Sequence, residues 1–387
     1  MTNWRKDNSI REDFRSVVAH VLSRYSPDYW RGIDEKSEYP TEFVDDLTKT
    51  GALSALIPAE YGGLGLDLGD ASVLLEEISF RGGVATPVHA QLYTMSPLLK
   101  YGSPEQKDKY LPSIADGTVR LQSFAVTEPD AGSETTRIKT KAVRNGDHYV
   151  VSGQKVWTSR VNHSDLILLL ARTTPRDQVT RKTDGLSLFL IDMREVEGLS
   201  VTPIETMVNH DTNELHFDNM VIPADSLIGD EGAGFRYLLD GLNAERILVA
   251  AECVGDGRWF IEKSRNYANE RVVFDRPIGM NQGIQFPIAR AHIDIEAADL
   301  MRWKAADLFD AGLSCGPEAN MAKLLAADAS WQAANVAMQT HGGYGMAREY
   351  DIERKFREAR LYQVAPVSTN LILSHIAERV LGLPRSF

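Results

Sequence analysis

The chain has 387 residues, more than one simple core holds, so two or three packed layers or domains are expected. A composition of 43% hydrophobic and 25% charged residues excludes a fibrous or disordered chain. The net charge of -12 excludes a general nucleic-acid binder, which needs a basic face, yet leaves room for a local anion site. Two cysteines, Cys253 and Cys315, cannot supply a disulfide framework or a CxxC metal site, which suits a reducing compartment. The opening "MTNWRKDNSIREDF" has no apolar run of signal type. No stretch approaches the roughly 18 uninterrupted apolar residues of a membrane span. The expectation is a soluble, cytoplasmic protein with no stable membrane insertion, no nucleic acid and no metal.

Three textures follow one another along the chain. Residues 1–120 read as helices: "REDFRSVVAHVLSRY" and "DASVLLEEISFRG" carry apolar residues at helical spacing, and "PAEYGGLGLDLG" breaks the chain between them. Residues 121–230 read as strands. "IKTKAVRNGDHYVVSGQKVWTS" is two alternating runs joined at Asn145-Gly146, a hairpin signal. "DLILLLART" and "LSLFLIDM" are short apolar runs of buried-strand type. A small antiparallel barrel or sandwich is expected there. Residues 231–387 return to helix, with long stretches over 235–271, 282–311 and 317–339. The class is α+β, in the order helices, strands, helices. That is not the alternation of a Rossmann fold, and no GxGxxG follows a predicted strand.

The densest chemistry lies in "FAVTEPDAGSETT", a strand that opens into a Gly/Ser/Thr loop. Its amides and hydroxyls suit a ligand with many acceptors, although a plain turn has the same composition. Trp157, in "GQKVWTS", reads as core or as the wall of a site. Gln339, Gly342 and Gly343, in "MQTHGGYG", would let a backbone approach a ligand. A helix C-cap explains the glycines equally, and His341 fits a structural histidine.

Taken together, these stretches follow an order that resembles the acyl-CoA dehydrogenase family along nearly the whole chain. The resemblance rests on "PAEYGGLG", "AVTEPDAGS", "GQKVWTS", "IGDEGAGF", the Arg271/Phe274/Gln282 spacing, "MQTHGGYG" and "REARLYQ". It implies an α-domain, a β-barrel domain and a four-helix α-domain. It further implies FAD, an acyl-CoA substrate, an electron-transfer flavoprotein as acceptor and a homotetramer. Phe124, Val126, Thr127, Gly132, Ser133, Trp157, Thr158 and Ser159 would line the flavin, with the Ser159 hydroxyl near N5. Arg271, Phe274, Gln282, Gln339, Gly342 and Gly343 would hold the ADP part of an FAD bound mainly by a neighbouring subunit. Ser368 and Asn370 would contact FAD from another side. Ser133, Arg236, Asn243, Arg246, Ala365 and Pro366 would meet the substrate. The acyl pocket floor is expected around residues 89–96 and 236–244, with Tyr93 and Met95 as candidates. Asp130 and Asp275 depart from the small residues usual at their positions.

Many members carry the catalytic base in a "YEGT" segment, which aligns here with Ala365, Pro366, Val367 and Ser368. Proline neither takes a proton nor offers an N–H. The isovaleryl-CoA and long-chain types carry the base on a helix, in a pattern like "LDLER", and "GLNAERILVA" places Glu245 there. Helical spacing puts Leu238, Leu242, Glu245 and Val249 on one face. A carboxylate on an apolar stripe is costly unless paired or functional, so Glu245 reads as the base or as a structural partner of an arginine such as Arg246. The resemblance favours the base. Burial would raise its pKa toward the working range. The backbone donor to the thioester oxygen is missing at Pro366 and is expected to shift to the N–H of Val367. An acyl-CoA oxidase or flavin monooxygenase on the same scaffold, and a non-catalytic CoA- or flavin-binding partner, are the alternative readings. The ending "GLPRSF" has no SKL-type tail, which leans against a peroxisomal oxidase.

Overall fold

The computed structural model describes residues 9–386. The first eight residues, on which the reading of a missing leader partly rests, and Phe387, the last residue of the tail, lie outside that range. In chain order come helices α1 (Ser9–Leu22), α2 (Pro27–Lys36), α3 (Thr41–Lys49), α4 (Leu68–Phe80), α5 (Thr86–Tyr101) and α6 (Pro104–Ala115). Strands β1 (Leu121–Ala125), β2 (Lys141–Asn145), β3 (His148–Ser159), β4 (Leu166–Arg172), β5 (Leu186–Asp192), β6 (Leu199–Pro203), β7 (Thr212–Pro223) and β8 (Leu227–Ile228) follow. The chain ends in α7 (Gly234–Glu270), the small hairpin β9 (Val272–Val273) and β10 (Arg276–Pro277), then α8 (Gln282–Asp310), α9 (Gly316–His341), α10 (Ile352–Leu361) and α11 (Thr369–His375). The three long helices fall within one or two residues of the stretches expected from sequence. No helix among the described residues is long and apolar enough to cross a membrane.

The chain divides into two compact units. The first comprises residues 9–36, 66–85 and 243–386; the second comprises 37–65 and 86–242.

The second unit is built around one eight-stranded sheet in the order β6-β7-β3-β2-β4-β5-β8, with β1 beside β4. Five of its pairings are antiparallel, while β1–β4 and β2–β4 run parallel. β4 and β5 are buried at every residue, which is why both read as unbroken apolar runs. Ile167, Leu169, Phe189, Ile191, Leu215 and Phe217 form their core, and each such side chain contributes about 1.5–3 kcal/mol on burial. The hairpin joint sits one residue later than the sequence signal, since Asn145 pairs with His148 and the turn residues are Gly146 and Asp147. α6 starts on a capping box: Ser103 Oγ accepts from the Gln106 amide at 3.2 Å and Gln106 Oε1 accepts from the Ser103 amide at 3.0 Å. α5 is tied to β1 where Thr94 Oγ1 donates to the Leu121 carbonyl at 2.7 Å.

In the first unit α7 is buried on all sides from Ala244 to Gly257. That leaves little helical period for sequence to show. α7 approaches α4 so closely that a Cβ at Gly255 would lie 2.3 Å from the Glu76 carbonyl oxygen. Glu76 itself is buried and gathers three arginines, Arg15, Arg258 and Arg302, at 2.6–3.0 Å. A carboxylate is tolerated there because its charge is compensated. α9 packs on both α8 and α10 through an alanine-rich face that includes Ala333, Ala334 and Ala337.

Candidate active site

Glu245 lies on the fully buried stretch of α7 in the first unit and is 7% exposed. Ala244, Ile247, Leu248 and Val249 surround it in sequence and are all buried. Leu238 is buried as well, while Leu242 is half-buried. The neighbouring Arg246 donates from one guanidinium nitrogen to Asn243 Oδ1 at 2.9 Å. Burial pushes the Arg246 guanidinium below its ordinary range, and the charge of Glu245 works in the opposite direction. Glu245 also supports the charged form of Lys323, an α9 residue that burial otherwise pushes down.

The segment after α10 is held from two sides. Lys323 Nζ donates to the carbonyls of Tyr362 at 2.6 Å and Val367 at 2.9 Å. The Tyr362 hydroxyl donates to Glu252 Oε2 on α7 at 2.7 Å. Inside this loop the amides of Gln363, Val364 and Ala365 return to Arg360 and Leu361. Pro366 has no N–H, and its peptide bond with Ala365 is cis. The amides of Val367 and Ser368 make no hydrogen bond among the described residues. Ser368 is the N-cap of α11 and accepts from the Leu371 amide at 3.4 Å, while Asn370 stands exposed on the first turn.

A second constellation belongs to the sheet unit. Phe124 ends β1 and stacks near Tyr93 of α5, with ring centroids 6.3 Å apart. Val126 and Thr127 continue the strand, and both are fixed by β3. Lys155 Nζ donates to the Val126 carbonyl at 2.8 Å, and the Val156 amide donates to Thr127 at 2.9 Å. Lys155 also reaches Glu128 at 3.0 Å, and Glu128 accepts from the Lys139 and Thr140 amides. Complete burial pushes the Lys155 ammonium down to about 8, although Glu128 pulls it upward. The amides of Gly132 and Ser133 beyond this anchor donate to nothing among the described residues. Asp130, one of the departures, pairs with Lys139 at 3.2 Å on the surface.

Where β3 slips in register against β7, between Lys155 and Thr158, Trp157 takes φ +62 and is 59% exposed. The bulge turns the tryptophan outward in a left-handed conformation, so it is not a core residue. Thr158 Oγ1 beside it is buried with no partner among the described residues. Ser159 Oγ accepts from Asn209 Nδ2 at 2.8 Å, and Arg160 donates to Asn209 Oδ1 at 2.7 Å. The Thr212 hydroxyl is spent on the Asn209 carbonyl at 2.7 Å. Among the described residues the Ser159 hydrogen has only Thr212 Oγ1 at 3.3 Å as a competing acceptor.

The third group is in the first unit. Arg271 directly follows α7 and lies over the Tyr344 ring at 5.7 Å. Gly342 has φ +59 and ψ -130, a conformation essentially reserved for glycine, and space is open around Gly342 and Gly343. Both follow Gln339 at the end of α9, so Arg271 and the "GGYG" segment come together. Phe274, at φ +52, stands 94% exposed on the β9–β10 hairpin next to Asp275 at φ +62, and Gln282 opens α8 exposed. His341 is structural: it stacks on Tyr267 at 4.3 Å and its Nδ1 donates to the Ala337 carbonyl at 2.8 Å. Met95 is fully buried, and Arg236 lies over the Tyr237 ring at 5.1 Å.

Three family models match the chain in sequence order. They are the acyl-CoA dehydrogenase N-terminal domain over residues 7–118, the middle domain over 123–220 and the C-terminal domain over 232–381. The chain belongs to the acyl-CoA dehydrogenase family. Acyl-CoA dehydrogenase FadE12 of Mycobacterium tuberculosis is 37% identical over 393 residues, covering 98% of each chain. A cyclohex-1-ene-1-carbonyl-CoA dehydrogenase of Syntrophus aciditrophicus is 36% identical over 357 residues, covering 91% of this chain and 85% of its own. The solved glutaryl-coenzyme A dehydrogenase glutaryl-CoA complex superposes with a TM-score of 0.93 at 30% identity, covering 100% of this chain and 98% of that one. The architecture is therefore that of the family: N-terminal helices, a middle sheet domain and C-terminal helices. The chain is a flavin-dependent oxidoreductase that uses FAD.

The residues present fit a flavin. An outward tryptophan, an orphaned buried threonine hydroxyl and unpaired amides at Gly132 and Ser133 are groups that a planar ligand with many acceptors satisfies. Sequence reasoning did not single out Asn209, Glu252, Lys155 or Lys323. Two of them left a signal: Lys155 sits inside an otherwise strand-like run, and Lys323 is a lone cation in the alanine-rich "EANMAKLLAADAS".

Proposed function

We propose that the protein oxidises an acyl-CoA thioester to the trans-2-enoyl-CoA, with Glu245 as the base that takes the pro-R α-proton. The observation that carries this reading is that Glu245 is buried on α7, while the aligned base position is Pro366, which takes no proton. FAD, when bound, supplies the acceptor for the β-hydride. Glu245 receives the proton in a setting shielded from water, where a carboxylate is a stronger base than in solvent.

The α-proton of a thioester is only weakly acidic, so charge developing on the thioester oxygen needs donors already in place. Pro366 cannot donate. The unpaired amide of Val367, one residue on, supports the expected one-residue shift, with the Ser368 amide adjacent. Asn243 and Arg246 neighbour Glu245 on α7 and contact the CoA thioester, as do Ser133 and Arg236. Ser159, oriented by Asn209, donates toward the flavin. Trp157, Thr158 and the Phe124–Ser133 segment hold the ring, and Ser368 and Asn370 meet it separately. Arg271, Phe274, Gln282, Gln339, Gly342 and Gly343 serve the ADP part of an FAD in a neighbouring subunit of a homotetramer. The exposed Phe274 supports that assignment, because a phenylalanine 94% in solvent lacks a hydrophobic partner among the described residues.

The electron acceptor is an electron-transfer flavoprotein, and the enzyme works in the cytoplasm. Base placement on the helix points to branched, cyclic or long acyl groups, and the similarity to a dehydrogenase named for a cyclic acyl-CoA supports that range. A panel of acyl-CoA thioesters, assayed with an artificial electron acceptor and with oxygen alone, tests the proposal. Acceptor-dependent turnover without peroxide is expected. Peroxide at the full rate of turnover identifies an oxidase, and no turnover with any thioester contradicts the assignment.

A further inference from the structure

Lys323 is fully buried on α9, yet it makes no ion pair among the described residues. Burying an ammonium without a carboxylate is expensive, and an apolar residue would fill an alanine-lined helix face at no such cost. Its hydrogen-bond partners are two carbonyls, Tyr362 at 2.6 Å and Val367 at 2.9 Å. Those carbonyls bracket the segment that contains Pro366, so one side chain spans the loop from its entry to its exit. The Tyr362 hydroxyl then ties the entry to Glu252. Glu252 stands seven residues, two helical turns, beyond Glu245 on α7, so the same helix carries the base and an anchor of the loop.

We infer that Lys323 is a positioning residue: it fixes the Tyr362–Val367 loop against the helices so that the Val367 and Ser368 amides are held ready for the thioester oxygen. The inference rests on the reading of this loop as the oxyanion donor. A proline at the position where other members place an N–H leaves fewer local constraints on donor placement. The Val367 carbonyl belongs to the same peptide unit as the Ser368 amide, so a bond to that carbonyl sets the direction of the amide. The Val367 amide is the adjoining unit. The charge on Lys323 adds to this: Asp328 and Glu245 favour its protonated form against the effects of burial and of Arg246.

The test uses the FAD-loaded full chain with Lys323→Met, Lys323→Arg and Lys323→Gln. The probe is acetoacetyl-CoA, whose α-carbon ionises to solvent without a catalytic base. The fraction bound as enolate, read from ultraviolet absorbance, therefore reports the carbonyl donors alone. Lys323→Met is expected to keep its FAD and to lower the enolate fraction at least about tenfold. Its kcat for a saturated acyl-CoA should fall about 10²-fold with KM changed little, the size of effect that a misplaced group produces. Lys323→Arg should recover part of both. An unchanged enolate fraction and kcat in Lys323→Met overturns the inference. If Lys323→Met does not fold, Lys323→Gln, shorter and uncharged, decides: a lowered enolate fraction supports the inference and an unchanged one overturns it. Normal turnover in Glu245→Gln, by contrast, removes the base assignment and leaves the enolate measurement intact, so the two failures are distinguishable.

Discussion

The Tyr362 hydroxyl donates to Glu252 Oε2 at 2.7 Å, and both residues are buried. This bond joins the loop after α10 to α7, and its loss has a definite consequence. Tyr362→Phe leaves a buried carboxylate without its phenol donor, which costs about 1.5–3 kcal/mol. The urea midpoint of the variant is expected to fall accordingly; an unchanged midpoint means that Glu252 draws its stabilisation from elsewhere.

Asn209 stands behind Ser159 as Tyr362 stands beside Glu252. Asn209→Asp keeps the left-handed backbone, which Asp tolerates, and keeps the acceptor for Arg160. It removes the amide's donations to Ser159 Oγ and to Thr212 Oγ1. The Ser159 hydroxyl then turns toward the new carboxylate. The visible spectrum of the bound flavin is expected to shift and kcat to fall about tenfold at full FAD content. An unaltered spectrum and rate mean that Ser159 does not depend on Asn209.

Lys155 links stability to pH. Burial holds its ammonium at about 8, whereas in the unfolded chain it titrates near 10.5. Between those values the unfolded chain binds the extra proton, so this residue's contribution to stability improves as pH rises through the window. Urea unfolding of wild type and Lys155→Met between about pH 7.5 and about pH 10 is expected to show the wild type gaining on the variant. A constant difference contradicts the assigned depression.

Arg271 tests the shared cofactor. Arg271→Ala is expected to weaken FAD retention by tenfold or more, about the worth of a bond to a charged group, and to loosen the assembly at the same time. Flavin-to-protein ratio and sedimentation should move together. Loss of FAD from an intact assembly would separate the two roles.

Much of this was legible in the sequence because the patterns are local. The long helices announced themselves by length, and β4 and β5 by apolar runs bounded by polar residues. The Val126–Ser133 loop and the "GGYG" turn were visible because glycine and hydroxyl residues cluster where the chain leaves regular structure. Trp157 was ambiguous, since core and wall need the same side chain; only the register slip and its left-handed φ separate them. Glu245 showed through a face of α7, although that helix is buried all round where it matters and carries a weak period. Lys323, Glu252 and Asn209 were not singled out because their partners lie 39, 110 and 50 residues away. Such pairings are made by the fold, and neither composition nor spacing records them.

Anaerobic reduction of the bound flavin by an acyl-CoA substrate tests whether Glu245 is the base. Glu245→Gln preserves shape and removes the proton acceptor. A yellow, folded variant is expected that binds substrate but whose flavin is reduced at least about 10³-fold more slowly than in wild type, general-base catalysis being worth about 10²–10⁴-fold. Reduction at a rate close to wild type would contradict it.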